Sequence, residues 1–366
     1  MIKTLYKKIS DQNLALNESE IRKGVSILHS KPIFFNLDLI GVCNMQPRCA
    51  MCYEIDSSAR RHFGITISDI LNFGEFFEKA GSLINCSIGE PLMHRDIVEL
   101  IRIIDSRGKE IGLNTNGLGL TRDLSDRLLE YPEALNFLVS LDAASRVTYE
   151  KIRGKCFERV IENVSYFCAR RKRVNYKKDG QLYPRIGFCF MPMKINKNEI
   201  LSFVKLAAEI GVDRVELRCL NKTDKDIIIE RDNFVFNYNE QMLSKDELDE
   251  VEALASAAAR KHNVVLECQY RSERIGFDFF LPAEFRNTKL KCILPWRFIL
   301  PYKNGETTGC CYMNKSLGDW RKHGLEKLWN GHRMRKMREE LAAGELSREC
   351  LDYKHCPLVN NRCLTN

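Results

Sequence analysis

Cys43, Cys49 and Cys52 stand together in the stretch Cys43-Asn44-Met45-Gln46-Pro47-Arg48-Cys49-Ala50-Met51-Cys52-Tyr53. Thiolates are soft ligands, and three of them on one loop suit an iron–sulfur cluster. Three protein ligands rather than four leave one iron open to a substrate or cofactor. That open position separates a catalytic cluster from an electron carrier. A zinc site would also gather cysteines, usually in closer pairs with a clear fourth ligand. No Cys or His follows Cys52 before His62. An inert buried cysteine accounts for a single Cys, not for three so close together. A second set, Cys292, Cys310, Cys311, Cys350, Cys356 and Cys363, is crowded into the C-terminal region.

The elements around the first loop are short apolar runs alternating with amphipathic stretches. Residues 33–40 form an apolar run directly before Cys43. Residues 83–88, 111–114, 137–141, 186–190 and 215–217 read as further buried strands. Asp96 can cap a helix that turns Ile97, Leu100, Ile101 and Ile104 to one side and stops at Gly108. Asn196 begins another, with Ile200, Phe203, Val204 and Ala207 inward and Gly211 as its stop. Strand–helix repetition implies a parallel sheet with helical crossovers. The expected fold class is α/β: a partial (β/α)6 TIM-type barrel with a small C-terminal cysteine-rich domain. In such sheets chemistry sits beyond the carboxyl ends of the strands, where the three-cysteine loop falls. The expected divisions are a helical N-terminal extension over 1–30, the barrel over 31–235, a bridging helix and strand over 236–284, and the cysteine-rich domain over 285–366.

Composition sets outer limits. The chain has 366 residues, 44% apolar and 29% charged, enough to bury a sizeable core. No run of apolar residues is long enough to span a membrane, and the N-terminus lacks a signal-peptide pattern. Fifteen cysteines without a secretion signal point to metal or redox use in a reducing cytoplasm. Net charge is +8. Its densest run, Arg170-Arg171-Lys172-Arg173, reads as a solvated surface loop, since no aromatic residues or nucleic-acid motif accompany it.

The ordered motifs resemble the radical S-adenosylmethionine superfamily. Its usual loop has three residues between the first two cysteines and two between the last two. Here the gaps are five and two, with two extra residues near Gln46-Pro47. Gly89-Glu90-Pro91, after the second strand, is similar to the family's Gly-Glu-Pro segment, whose carboxylate meets the amino group of the methionine moiety. Asn116 in Thr115-Asn116-Gly117 ends the third strand, and Ser140-Leu141-Asp142 ends the fourth as the family's Ser-x-Asp does. The resemblance places Tyr53, Gly89, Glu90, Pro91, Asn116, Ser140 and Asp142 about the cofactor and makes Arg153 a candidate for its carboxylate. The C-terminal region resembles the SPASM and twitch auxiliary-cluster domains. Cys292-Ile293-Leu294-Pro295-Trp296 opens it, Gly305 precedes Cys310 by five residues, and Leu317-Gly318-Asp319 and Leu328-Trp329-Asn330 follow. Cys350, Cys356 and Cys363 supply further ligands. One auxiliary 4Fe–4S cluster is expected, on Cys292, Cys310, Cys350 and Cys356. Cys363 could replace one of them, and Cys311 is a spare thiol or possible hydrogen donor. A zinc knot is the alternative at the same cysteines.

The resemblance implies a catalytic 4Fe–4S cluster on Cys43, Cys49 and Cys52, S-adenosylmethionine, and an electron donor such as flavodoxin or ferredoxin. Reductive cleavage would give a 5′-deoxyadenosyl radical that takes a hydrogen atom from the substrate. The auxiliary cluster could then accept the substrate electron, giving oxidation or cross-linking. A thiol could instead return a hydrogen, giving epimerisation; Cys86, Cys189 and Cys219 lie on the barrel strands but read better as buried inert cysteines. About 30 residues precede the first strand, too few for an appended peptide-binding domain, which points toward a small polar molecule or a leader-independent peptide. The reading from another class is a non-catalytic metal-binding structural or regulatory protein.

Overall fold

The computed structural model describes residues 2–52, 64–85, 89–220, 227–231, 234–268, 280–313, 315–352 and 356–360. Tyr53, Cys86 and Cys363 lie outside the described residues.

The core is one sheet whose strands we number along the chain. They are β1 (Phe34–Leu37), β2 (Ser82–Asn85), β3 (Ile111–Thr115), β4 (Leu135–Ser140), β5 (Arg185–Phe190), β6 (Arg214–Leu217), β7 (Val265–Cys268), β8 (Phe298–Pro301), β9 (Glu306–Thr308) and β10 (Gly318–Asp319). Their spatial order is β7-β6-β5-β4-β3-β2-β1-β8-β9-β10. Strands β1 to β7 run parallel, as the expected partial barrel requires, and β8 pairs parallel to β1 on the other side. The sheet thus extends past the six expected units. The strand of the bridging segment is its seventh parallel member, and the first strand of the cysteine-rich region continues it beside β1. Only β9 and β10 are antiparallel, closing on a turn at Gly305, whose φ of 98° suits glycine.

The helices are α1 (Ile2–Arg22), α2 (Ile97–Ser106), α3 (Arg146–Ile152), α4 (Phe157–Val174), α5 (Ile200–Ile210), α6 (Lys245–His262) and α7 (His332–Ala342), with shorter turns between them. Their inward faces follow the sequence pattern. Ile97, Leu100, Ile101 and Ile104 of α2 are buried, as are Ile200, Phe203, Val204 and Ala207 of α5. Gly211 ends α5 in the left-handed conformation. Asp96 stands at the start of α2 without a side-chain capping bond. On β5, Phe188 and Phe190 pack on Phe203, so Cys189 between them points to the opposite, inner face.

The basic run differs from expectation. Residues 170–173 belong to the last turns of α4, and Arg171 is buried. Its guanidinium bonds both carboxylate oxygens of Asp213, at 2.6 and 3.1 Å, and the carbonyls of Pro184 and Gly211. This arginine stitches the amino ends of β5 and β6 to α4. Sequence alone shows a run of charge, whereas helical phase decides which member turns inward.

Candidate active site

The cysteine loop leaves β1 at the carboxyl edge of the sheet and is fastened from three sides. Gly89 N donates to Ile40 O at 3.1 Å and Glu90 N to Val42 O at 2.8 Å, so the segment after β2 runs hard against the approach to Cys43. A Cβ on Gly89 would lie 2.2 Å from Val42 O, so only glycine permits this approach. On the far side, Ala50 N donates to Ile152 O at 2.7 Å. A Cβ on Gly154 would meet Gln46 O and Met45 Sδ, both at 3.0 Å. The two extra residues of the loop are therefore seated on the turn after α3.

The strand-end residues converge on the thiols. Asn116 Nδ2 lies 3.7 Å from Cys43 Sγ and donates to Asn44 Oδ1 at 2.8 Å. Glu90 is buried and accepts from Thr115 Oγ1 at 2.6 Å, Asn116 N at 2.7 Å and Leu92 N at 3.2 Å. Oε1 takes two of these bonds and Oε2 one, which leaves acceptor capacity at Oε2 for a further donor. Burial pushes the Glu90 carboxyl up, against the pull of those donors. Arg153 donates through Nε to Asp142 Oδ2 at 2.8 Å, and its Nη2 bonds the same oxygen. Its Nη1 lies 3.6 Å from Cys49 Sγ. Burial works against the charge of Arg153, but Asp142, with Cys49 and Tyr149, outweighs it and holds the guanidinium firmly protonated.

Asp142 sits in the left-handed region, φ 58°, which an aspartate tolerates better than most side chains. Met191 N donates to its Oδ1 at 2.7 Å, and Asn196 Nδ2 to its carbonyl at 2.8 Å. With an exposure of 0%, Asp142 faces no solvent. The register places Ser140 beside Cys189 and Cys189 beside Glu216, so these three share the inner face of the sheet. Arg218 continues that face and pairs with Glu216 at 2.5 Å.

The thiols fit an iron–sulfur cluster. Burial pushes Cys49 up to about 11; Arg153 opposes this, whereas Cys52, Cys43 and Asp142 add to it. Cys43 is also raised, first by burial and in part by Glu90 and Cys52. Cys49 feels both other thiols, and Cys43 feels Cys52, because the loop brings them near one another. A metal takes such thiols as thiolates outright, and the Asn116 and Arg153 donors suit that anionic form.

The second cysteine set gathers in the same way. Burial, then Cys310, Cys350 and Cys356 together, drive the Cys292 thiol well above its usual value. Cys350 rises to about 12, through burial and then Cys310 and Cys356. Leu294 N and Tyr312 N donate to the sulfurs of Cys292 and Cys310, at 3.4 and 3.5 Å. Exposed Cys311 hydrogen-bonds the Cys310 thiol and lowers it. Among the described residues no group of His, Cys, Asp or Glu converges tightly enough to hold a single metal ion.

Of the residues expected from sequence, the structure brings Glu90, Asn116, Asp142 and Arg153 together beside Cys43 and Cys49. Sequence reasoning missed Thr115 and Asn44, which brace Glu90 and Asn116, and also Gly154, Met191 and Asn196. A glycine directly after the candidate arginine was the one visible signal. A cavity of about 550 Å³ against Lys3, Asp105, Glu133 and Tyr176 lies at the amino ends of the strands and touches none of these residues.

A parallel strand-end site of this kind, with a second cysteine cluster in the same chain, defines an iron–sulfur protein class. The radical SAM superfamily model matches residues 38–179, and an iron–sulfur cluster-binding model, SPASM, matches residues 292–357. The chain thus carries a radical SAM domain and a SPASM iron–sulfur domain, and these two domains imply iron–sulfur clusters and S-adenosylmethionine binding. A probable GTP 3′,8-cyclase of Saccharolobus islandicus is 29% identical over 185 residues, 50% of this chain and 54% of that protein. Molybdenum cofactor biosynthesis protein 1 of Drosophila melanogaster is 30% identical over 186 residues, 49% of this chain and 30% of that protein. The chain thus spans about half the length, or less, of these curated relatives. Among solved structures, Streptococcus suis SuiB superposes with a TM-score of 0.65 at 15% identity, covering 90% of this chain and 72% of SuiB. The structure of anSMEcpe with bound AdoMet gives 0.57 at 12% identity, covering 90% and 94%. Both show the same fold. Among the described residues no helix is long and apolar enough to cross a membrane.

Proposed function

We propose that this chain is a radical S-adenosylmethionine oxidoreductase or maturase acting on a peptide or a small polar natural-product-like molecule. The observation that carries the reading is the convergence of Asn116 and Arg153 on the sulfurs of Cys43 and Cys49 at the carboxyl edge of the sheet. With a 4Fe–4S cluster on Cys43, Cys49 and Cys52 and S-adenosylmethionine present, the site would supply one-electron sulfonium cleavage and hydrogen-atom abstraction. Glu90 has acceptor capacity for the cofactor's ammonium, Arg153 would meet its carboxylate, and Ser140 would face the cofactor.

Cys292, Cys310, Cys350 and Cys356 suit one auxiliary 4Fe–4S cluster of the twitch kind, four thiolates being the usual complement. Such a cluster would accept the substrate electron, making the net reaction an oxidation, a dehydrogenation or a cross-link. A peptide substrate draws support from SuiB, solved bound to its precursor peptide SuiA, and from anSMEcpe, solved with a bound peptide. The probable GTP 3′,8-cyclase is 29% identical over half of this chain, which gives its substrate less support here than a peptide. Anaerobic reaction with S-adenosylmethionine, reductant and candidate peptides tests the reading by mass spectrometry. Loss of hydrogen from the product supports it. Incorporation of solvent deuterium with no change in oxidation level would replace it with epimerisation.

A further inference from the structure

Among the three loop cysteines, Cys49 has a cationic donor on its sulfur. The Arg153 guanidinium reaches Cys49 Sγ at 3.6 Å, whereas the donors on Cys43 are neutral: the Asn116 amide at 3.7 Å and the backbone N–H of Met45. Arg153 is 8% exposed and Asp142 is fully buried. The arginine is fixed at both ends. Its backbone N caps α3 through Tyr149 O at 2.7 Å, and the neighbouring Ile152 carbonyl holds Ala50, the residue after Cys49. Its side chain is gripped by Asp142, itself pinned by Met191 N and Asn196. Asp142 thus serves two ends: it neutralises the buried cation and aims it.

We infer that the Arg153–Asp142 pair sets the reduction potential of the cluster held through Cys49. Hydrogen bonds to cluster sulfurs, nearby charge and exclusion of solvent are the recognised controls on such potentials. Reduction adds negative charge to the cluster, so a cation on a ligand sulfur stabilises the reduced form, and low dielectric strengthens the effect. The carboxylate of Asp142 stands behind the guanidinium and opposes it. Both are positioning residues for the redox step, and they act with opposite sign. The inference rests on the reading that Cys43, Cys49 and Cys52 hold the catalytic cluster.

The test is an anaerobic redox titration of the reconstituted full-length chain, followed by electron paramagnetic resonance without S-adenosylmethionine. The triple Cys43, Cys49 and Cys52 to Ala variant identifies the auxiliary signal to be subtracted. Arg153→Gln should move the midpoint to more negative values and Asp142→Asn to less negative ones. Arg153→Lys, which keeps charge without the fork, should fall between wild type and Arg153→Gln. Shifts of the same sign in Arg153→Gln and Asp142→Asn, no shift at full iron content, or a shift seen only with S-adenosylmethionine added would each overturn the inference. A triple Ala variant that keeps all the iron and the wild-type signal would instead sink the underlying cluster assignment. If Asp142→Asn does not fold, the Arg153→Gln and Arg153→Lys pair still decides, since a purely structural role predicts no graded potential.

Discussion

Asn17 donates a 2.7 Å hydrogen bond to the backbone oxygen of Trp296, 279 residues further along the chain. Its amide oxygen accepts from Arg297 Nε at 3.4 Å, and Asn17 is fully buried. The N-terminal helix is therefore part of the seam between the barrel and the cysteine-rich region. Other bonds run along that seam: Trp329 Nε1 to Ser30 O at 3.0 Å, and Arg338 Nη1 to Ser26 O at 2.9 Å. Arg338 Nε also holds Pro295 O at 2.9 Å, three residues from Cys292.

Asn17→Ala should leave the Trp296 carbonyl buried without this donor. The expected loss is about 1–3 kcal/mol of stability, read as a lower urea midpoint for the whole chain. A variant as stable as wild type would mean that the seam carries little.

Gly89→Ala should disturb the catalytic loop selectively. The added methyl would collide with Val42 O and N, 2.2 and 2.6 Å from its ideal position, just before Cys43. Iron analysis should show the loss of roughly one cluster, about four irons per chain, with the auxiliary cluster retained. Full iron content would show that the approach relaxes without cost.

Much of this site was legible because its chemistry depends on residue type and order. Three cysteines, Gly89-Glu90-Pro91 and Thr115-Asn116-Gly117 each follow a recognisable strand, and strand ends are where a parallel sheet places its groups. What stayed hidden depends on three-dimensional contact. Asp142 reads in sequence as a cofactor-facing residue, but its carboxylate points to Arg153 and Met191 N. Arg171 reads as surface charge, yet the phase of α4 turns it inward onto Asp213. Asn17 gives no signal at all, because its partner Trp296 lies far along the chain. The separation of β8 from β1 in sequence likewise concealed that they pair in one sheet.

Glu90→Gln should weaken S-adenosylmethionine binding, measured by calorimetry on the reconstituted protein. The change keeps size but removes the charge that would face an ammonium, at a cost of about 1.5–3 kcal/mol. The carboxylate oxygens already accept from Thr115, Asn116 and Leu92, so some loop disorder should accompany it. Unchanged affinity would remove Glu90 from the cofactor site.

Lys109 gives a pH-dependent test of the sheet's amino end. Burial lowers its pKa from 10.5 to about 8, although its ammonium bonds Ala80 O at 2.6 Å and Ser10 Oγ at 2.9 Å. Below about pH 8 both folded and unfolded chains carry the proton, and the folded state bears the full penalty of burying it. Between about 8 and 10.5 the unfolded chain binds more protons, so this group's contribution to stability rises with pH. The difference in stability between wild type and Lys109→Met should therefore shift toward wild type across that window. A pH-independent difference would show that the lysine is not desolvated.

The most direct measurement replaces Cys43, Cys49 and Cys52 together by Ala and follows iron and 5′-deoxyadenosine under anaerobic reduction with S-adenosylmethionine. The expected protein keeps about four irons per chain, on the single auxiliary site, and makes no 5′-deoxyadenosine. Continued 5′-deoxyadenosine formation by the triple variant would contradict the catalytic assignment of these three cysteines.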